Sequence, residues 1–303
     1  MRFNLRPSEW LLVIFFGYVA VIGFFFPGRP RLYGGVAPIT QCLAIFCILI
    51  LIAYFERGRS KAFISRVRDW LPILYTFIAF REMELFLPRT FSGQLEASWI
   101  ALDRSLLERY HLHSAIEALG TAIPLYLEAC YLFVYGISLI CVGILYARGK
   151  RACVDRFWTI FLTGTLVAYA LFPYFPSQPP RIVFPTVDAP GITTWVRQMN
   201  LFILNKATIH VGVFPSAHVS SAFACAWAMF LLVPERKRIA WILVIYAASV
   251  SIATIYGRYH YTADVIAGFC VSFAAATVAI VLAHKEKGRR KMPARPLQEG
   301  EIN

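Results

Sequence analysis

The chain has 303 residues, of which 58% are hydrophobic and only 16% charged, with a mean hydropathy of +0.60. A water-soluble fold has too little interior to hide that much apolar surface, so the composition calls for burial in a bilayer. The net charge of +13 does not mark a nucleic-acid binder, because the aromatic residues lie inside long apolar runs rather than beside the basic ones; the charge reports topology instead.

In chain order, eight runs are apolar and long enough to cross the membrane with their flanks: 10–26, 39–55, 70–87, 124–146, 157–172, 216–233, 239–256 and 261–283. They predict an all-α fold, a polytopic membrane helix bundle of about eight transmembrane helices. The first run follows Arg2 and Arg6 as a signal peptide would, but Pro27-Gly28-Arg29-Pro30 offers no small-residue cleavage site, so it is expected to stay as an anchor. Residues 1–68 are expected to form a two-helix N-terminal hairpin with a basic loop, 69–284 a six-helix catalytic membrane domain, and 285–303 a basic cytoplasmic tail that is disordered. Seven cysteines show neither a disulfide framework nor zinc spacing.

Counting Lys and Arg on alternate sides places 20 of 30 at the N-tail, the loops 57–68, 148–156 and 236–238, and the C-tail. The positive-inside rule then puts both termini in the cytoplasm of a multi-pass cell-membrane protein. The loops after the third, fifth and seventh runs face outward.

The third run carries Arg81, Glu82 and Glu84, and the fourth carries Glu128. Charges at that depth must pair or face a polar cavity. An ion-pair network is one reading; the other is a headgroup pocket that includes Tyr174. The outer loop 89–121 repeats apolar residues at Leu95, Trp99, Leu102, Leu106 and Tyr110, with Glu96, Asp103, Arg104, Glu108 and Arg109 between them. That pattern predicts an interfacial amphipathic helix that rests on the bilayer or on its neighbours, the other reading being a role in gating lipid entry. His111, His113 and His210 lie in outer loops without metal-ligand spacing.

Three short stretches converge on the outer face: Gln178-Pro179-Pro180-Arg181, Phe214-Pro215-Ser216-Ala217-His218, and the corner from Tyr256 to Asp264. Phosphoryl transfer needs cations for the phosphate oxygens, a nucleophile, a proton donor for the leaving oxygen and a group that orients the nucleophile. Arg181 and Arg258 are candidate phosphate ligands, as are the amides that open a helix at Ser216. His260 and Asp264, four residues apart, share a helix face, and His218 is left as a general acid. Each residue alone has a plain structural reading: an interfacial histidine, a helix cap, a helix-start carboxylate.

Pro215-Ser216-Ala217-His218, with His260 and Asp264 three residues apart in the intervening count, resembles the type 2 phosphatidic acid phosphatase superfamily over about residues 70–283. The resemblance implies that His260 attacks phosphorus to give a phosphohistidine, that Asp264 orients it, and that His218 protonates the leaving oxygen and later activates the acceptor. It implies no metal and no cofactor. Its partners would be a membrane lipid substrate and the bilayer, with no nucleic acid.

The sequence departs from the family pattern at both cation positions. Tyr174 stands where the family has Lys, Ile182 follows Arg181 where the family has Pro, and Thr254 occupies the family's Arg position, with an arginine appearing instead at Arg258. Pro-Pro-Arg, Phe-Pro-Ser-X-His and His-Tyr-X-X-Asp-Val are similar to the inositolphosphotransferase (inositol phosphorylceramide synthase-like) branch, and His-Tyr-Thr-X-Asp-Val to sphingomyelin synthases. Hydrolysis and headgroup transfer both stay open. The rival from another class is a membrane transporter or lipid-binding protein with a non-catalytic polar cavity, against which stand the clustering of charge near one face and the lack of an inverted repeat.

Overall fold

The computed structural model describes residues 5–26, 36–57, 61–86, 92–207, 209 and 212–291. Arg89, His210 and the tail beyond residue 291 lie outside the described residues. Among the described residues the fold is all-helical: α1 (Pro7–Ile22), α2 (Val36–Phe55), α3 (Lys61–Trp70), α4 (Pro72–Glu82), α5 (Gln94–Arg104), α6 (Leu112–Glu117), α7 (Ala122–Phe133), α8 (Ile137–Ala147), α9 (Val154–Leu171), α10 (Pro180–Val183), α11 (Trp195–Ala207), α12 (Ala217–Leu232), α13 (Lys237–Tyr256) and α14 (Thr262–Lys291).

Among the described residues, four segments are long and apolar enough to cross a membrane: Pro38–Phe55, Arg151–Tyr174, Pro234–Tyr256 and Thr262–Val281. A fifth is α7 with α8, which bend by 73° at a short break. The remaining expected runs are shorter or broken. α1 and α12 are apolar but have 16 residues each. The run 70–87 is divided between the end of α3, α4 and a short 3-10 turn at Met83–Phe86. Pro72 ends one helix and opens the next, since it cannot donate the hydrogen bond that would carry the first helix through.

The bundle is built around α12, which packs against α9, α13 and α14. Its sequence explains why. Ala217, Ala222, Ala224, Ala226 and Ala228 are all buried, and small residues let backbones approach where no hydrophobic effect drives helices together in lipid. The Ser220 hydroxyl donates to the Gly164 carbonyl at 2.9 Å, tying α12 to α9.

α1 lies against α2 and α9, and its end is fastened by charge. Arg6 donates to Asp69 at 2.7 Å, and Arg151 donates to the same carboxylate at 2.6 Å. Arg68 pairs with Glu9 and Glu56, and the Ser8 hydroxyl donates to Asp155 at 2.5 Å. This knot sits at the start of α9, roughly 25 Å along that helix from the segment at Phe172.

α5 rests on its neighbours, and it does so through its acidic face. Glu96 and Asp103 are 2% and 0% exposed, so the acidic side of α5 is the side turned into the protein. Glu96 accepts the Gln178 amide at 2.9 Å, and Asp103 accepts the Thr262 amide at 2.8 Å. Trp99, on the same face, stacks on Phe214 with ring centroids 5.0 Å apart. The reason is hydrogen bonding: loop amides buried near the bundle's end need acceptors, and these carboxylates supply them. His113 faces Glu117 at 3.0 Å, and Glu117 also takes the Tyr256 hydroxyl at 2.9 Å.

Candidate active site

The chain enters α12 through Phe214, Pro215 and Ser216. Ser216 is the N-cap: its hydroxyl oxygen accepts the Val219 amide at 3.3 Å, and its own amide donates to the Asp264 carbonyl at 2.9 Å. The start of α12 is thereby sewn to the start of α14. The two lie so close that a Cβ on Gly268 would fall 2.4 Å from the Ser216 carbonyl oxygen. Gly268→Ala is therefore expected to destabilise the fold by about 1–3 kcal/mol, because backbone must yield rather than a side chain. Thermal unfolding in detergent measures this, and an unchanged midpoint would contradict the close approach.

α13 ends in a Schellman turn. Arg258 adopts the left-handed conformation at φ 60, and the Thr254 carbonyl accepts the amides of Tyr259 at 2.9 Å and His260 at 3.1 Å. The Arg258 carbonyl in turn accepts the Arg181 amide at 3.1 Å, so the proline-rich loop is fixed to the same corner.

These constraints bring His218 and His260 together: His260 Nε2 lies 3.2 Å from His218 Nδ1. On the other side of its ring, His260 Nδ1 faces the Val213 carbonyl at 3.0 Å and Asp264 Oδ2 at 3.3 Å. A carbonyl and a carboxylate only accept, so the ring proton resides on Nδ1 and Nε2 presents a bare lone pair. Asp264 is fully buried, and Oδ2 also accepts the Tyr261 amide at 2.8 Å. Burial, followed by the nearby Arg181 cation, pushes the His260 imidazole down to about 3, which keeps it neutral in the physiological range.

Arg181 lines one cavity with His218, His260, Tyr259 and Tyr131. Its guanidinium stands 5.8 Å from the Tyr259 ring centroid. Tyr259 is anchored from behind, its hydroxyl donating to Glu128 at 2.6 Å. Glu128 also takes Arg197 and Asn200, each at 2.8 Å. Tyr131 stacks on Tyr259 at 4.0 Å and on His218 at 4.9 Å, which sets the tilt of the histidine ring.

Other expected site residues are not brought to this cavity. Arg258 is 1% exposed and committed to Asp103 at 2.9 Å, so its side chain braces α5 and does not line the cavity that holds Arg181. The side chain of Ser216 and the Val219 amide are used in capping. The expected headgroup pocket is dispersed. Glu82 faces Gln41 of α2, and Tyr174 packs edge-on against Phe26 at 5.2 Å, both toward the N-terminal helices. Arg81 is exposed and Glu84 partly buried at the end of the same segment, whereas Glu128 belongs to the Arg197 cluster. Among the described residues no group of three or more His, Cys, Asp or Glu is placed to hold a metal ion.

Sequence reading missed Tyr131, Tyr135, Arg197, Asp103 and the Val213 carbonyl. Of these, Asp103 carried a usable signal: it follows Glu96 by seven residues, one helix face, with Trp99 between them.

The PAP2 superfamily description matches residues 99–278, a span that contains both histidines, Asp264 and Arg181. The chain is also similar to a PA-phosphatase related-family protein of Dictyostelium discoideum, 28% identical over 120 residues, which are 37% of this chain and 21% of that relative. The chain thus spans about a fifth of the length of the curated relative it matches. No solved structure matches it. With more than half of its length under that family description, the chain belongs to the PAP2 superfamily.

Proposed function

We propose that the protein is an integral membrane lipid phosphatase or headgroup phosphotransferase that works through a phosphohistidine on His260. The observation that carries this reading is the bare His260 Nε2 facing a second imidazole, with a guanidinium in the same cavity. His260 Nε2 attacks phosphorus while the bond to the leaving oxygen breaks. Arg181 neutralises charge on the non-bridging oxygens. His218 protonates the leaving oxygen, and Asp264 with the Val213 carbonyl holds the Nδ1 proton of His260 as its ring becomes cationic. In the second half, His218 takes a proton from water or a lipid alcohol, whose oxygen displaces His260 from phosphorus. The two rings are bonded to each other at rest, so an entering phosphoryl group replaces that bond with its own.

A lipid substrate is supported by an apolar cleft beside His218, lined by Phe77, Phe80, Val134 and Tyr169 among others. An extracytoplasmic site in an eight-span chain with both termini inside is supported by the basic residues Arg148, Lys150, Arg151 and Arg156, which gather at the opposite end of α9. The motif spelling supports the inositolphosphotransferase-like branch.

The test is purified protein incubated with labelled phosphatidate, polyprenyl phosphate and phospholipids, with and without a lipid alcohol. Free phosphate marks a hydrolase and a new phospholipid a transferase. Activity is expected to survive chelators and to be blocked by vanadate, which mimics the pentacoordinate phosphorus. Flux of lipid across vesicles with no covalent change in any substrate would instead identify a transporter and end the proposal.

A further inference from the structure

The outer nitrogen of His218 is not free. Its Nε2 lies 3.2 Å from the hydroxyl of Tyr135, which sits in the break between α7 and α8 and also lines the apolar cleft. The Tyr135 ring meets the His218 ring edge-on at 5.4 Å and the Tyr131 ring at 6.4 Å, and its hydroxyl also bonds the Tyr131 hydroxyl, so the phenol is held by packing as well as by its bond to His218.

The direction of each proton follows from the partners. His260 carries its proton on Nδ1, so its Nε2 accepts, and His218 Nδ1 must donate to it. A neutral His218 then has a bare Nε2, and Tyr135 must donate to that nitrogen. A neutral imidazole in this tautomer cannot serve as an acid, because losing the Nδ1 proton would leave an imidazolate. The acid is the imidazolium, whose Nε2–H needs an acceptor in a largely apolar cleft, where the hydroxyls of Thr76, Thr165 and Ser221 donate to backbone carbonyls of their own helices. A phenol hydroxyl both donates and accepts by rotating about one bond.

We propose that Tyr135 is a positioning residue whose hydroxyl reverses its role during turnover, which rests on the phosphohistidine reading above. It donates to neutral His218 at rest and accepts from the imidazolium, which forms when His218 takes one proton from solvent as the anionic phosphate enters. When the P–O bond breaks, the Nδ1 proton goes to the leaving oxygen and the Nε2 proton stays, held by the Tyr135 oxygen. That leaves Nδ1 bare and aimed at the site, the tautomer required to take a proton from the incoming water or alcohol. The charged and titratable groups that face His218 are His260 and Tyr259 from the α13–α14 corner, Arg181 from α10, Tyr169 from α9, and Tyr131 and Tyr135 from the α7–α8 span. Only Tyr135 bonds its outer nitrogen among the described residues.

The experiment compares wild type and Tyr135→Phe on octyl phosphate, whose alkoxide needs a proton to leave, and on 4-nitrophenyl phosphate, whose nitrophenolate does not. Active sites are counted by the nitrophenolate burst, so that misfolded protein drops out of both rates. The expected result is a loss of about 10- to 100-fold in kcat on octyl phosphate with KM little changed, and a nitrophenolate burst rate within about threefold of wild type. The alkaline limb of the octyl phosphate pH profile, where the imidazolium acid is lost, should move to lower pH, since a cation without its acceptor is harder to form. Equal losses on both substrates per active site, or no loss on octyl phosphate, would overturn the role of Tyr135. Failure of wild type itself to release nitrophenolate or to become phosphorylated on His260 overturns the phosphohistidine reading instead, and the Tyr135 proposal with it.

Discussion

An alanine at position 260 is expected to lower turnover of any accepted lipid phosphate by about 10⁴-fold or more, the scale seen when a covalent nucleophile is removed from a set of residues that act together. The fold should persist. The ring's partners are the Val213 carbonyl and Asp264, and the corner that holds the histidine is fixed by backbone bonds to Thr254 that the substitution leaves in place. Labelled-substrate turnover together with a thermal unfolding curve makes the comparison. Wild-type turnover in a folded His260→Ala variant would remove the nucleophile assignment. Asp264→Asn is the instructive neighbour. Its loss should be smaller, because Val213 still receives the Nδ1 proton and keeps Nε2 bare.

Asp103→Leu is expected to cost the fold about 3–5 kcal/mol, since it strands a buried guanidinium whose Nε and Nη2 already lack partners among the described residues. The same change removes the acceptor for the Thr262 amide, at the first residue of α14 and two residues after His260. Stability and activity should therefore fall together. The double variant Asp103→Leu, Arg258→Leu should regain much of the lost stability, because the stranded cation is gone. Chemical denaturation of the four proteins of this cycle gives the coupling. Tighter phosphate binding in Asp103→Leu would instead show that Arg258 is a phosphate ligand held back by its carboxylate.

The helical, membrane-embedded character of the chain was legible because long apolar runs admit few other readings. The meeting of His218 with His260 was legible in part, since both lie at helix ends that charge counting assigns to one face. Which way a side chain turns around its helix was not. Glu82 and Glu128 lie at comparable depth by residue count, yet one faces Gln41 and the other Arg197, because in a helix that is apolar all round no stripe reveals the inward side. Arg258 and Arg181 looked alike as candidate phosphate ligands. A left-handed backbone at Arg258 and a carboxylate 155 residues away in the chain separate them, and neither has a local signature. The number of spans was the weakest expectation, because apolarity sums over a run while Pro72 and the break at residues 134–136 interrupt the hydrogen-bond ladder inside it.

Asp69 receives Arg6 from before the first helix, Arg151 from before the ninth, and the Tyr146 hydroxyl from the eighth, and its own carbonyl accepts the Trp158 indole at 2.7 Å. The join drawn from sequence between residues 68 and 69 thus runs through the middle of an electrostatic unit. A truncated protein beginning there would lose Arg6, Glu9 and Arg68 in one stroke and keep Asp69 and Arg151 half-answered. Anyone shortening this chain for crystallisation or display should expect the leading hairpin and the trailing bundle to stand or fall as one piece.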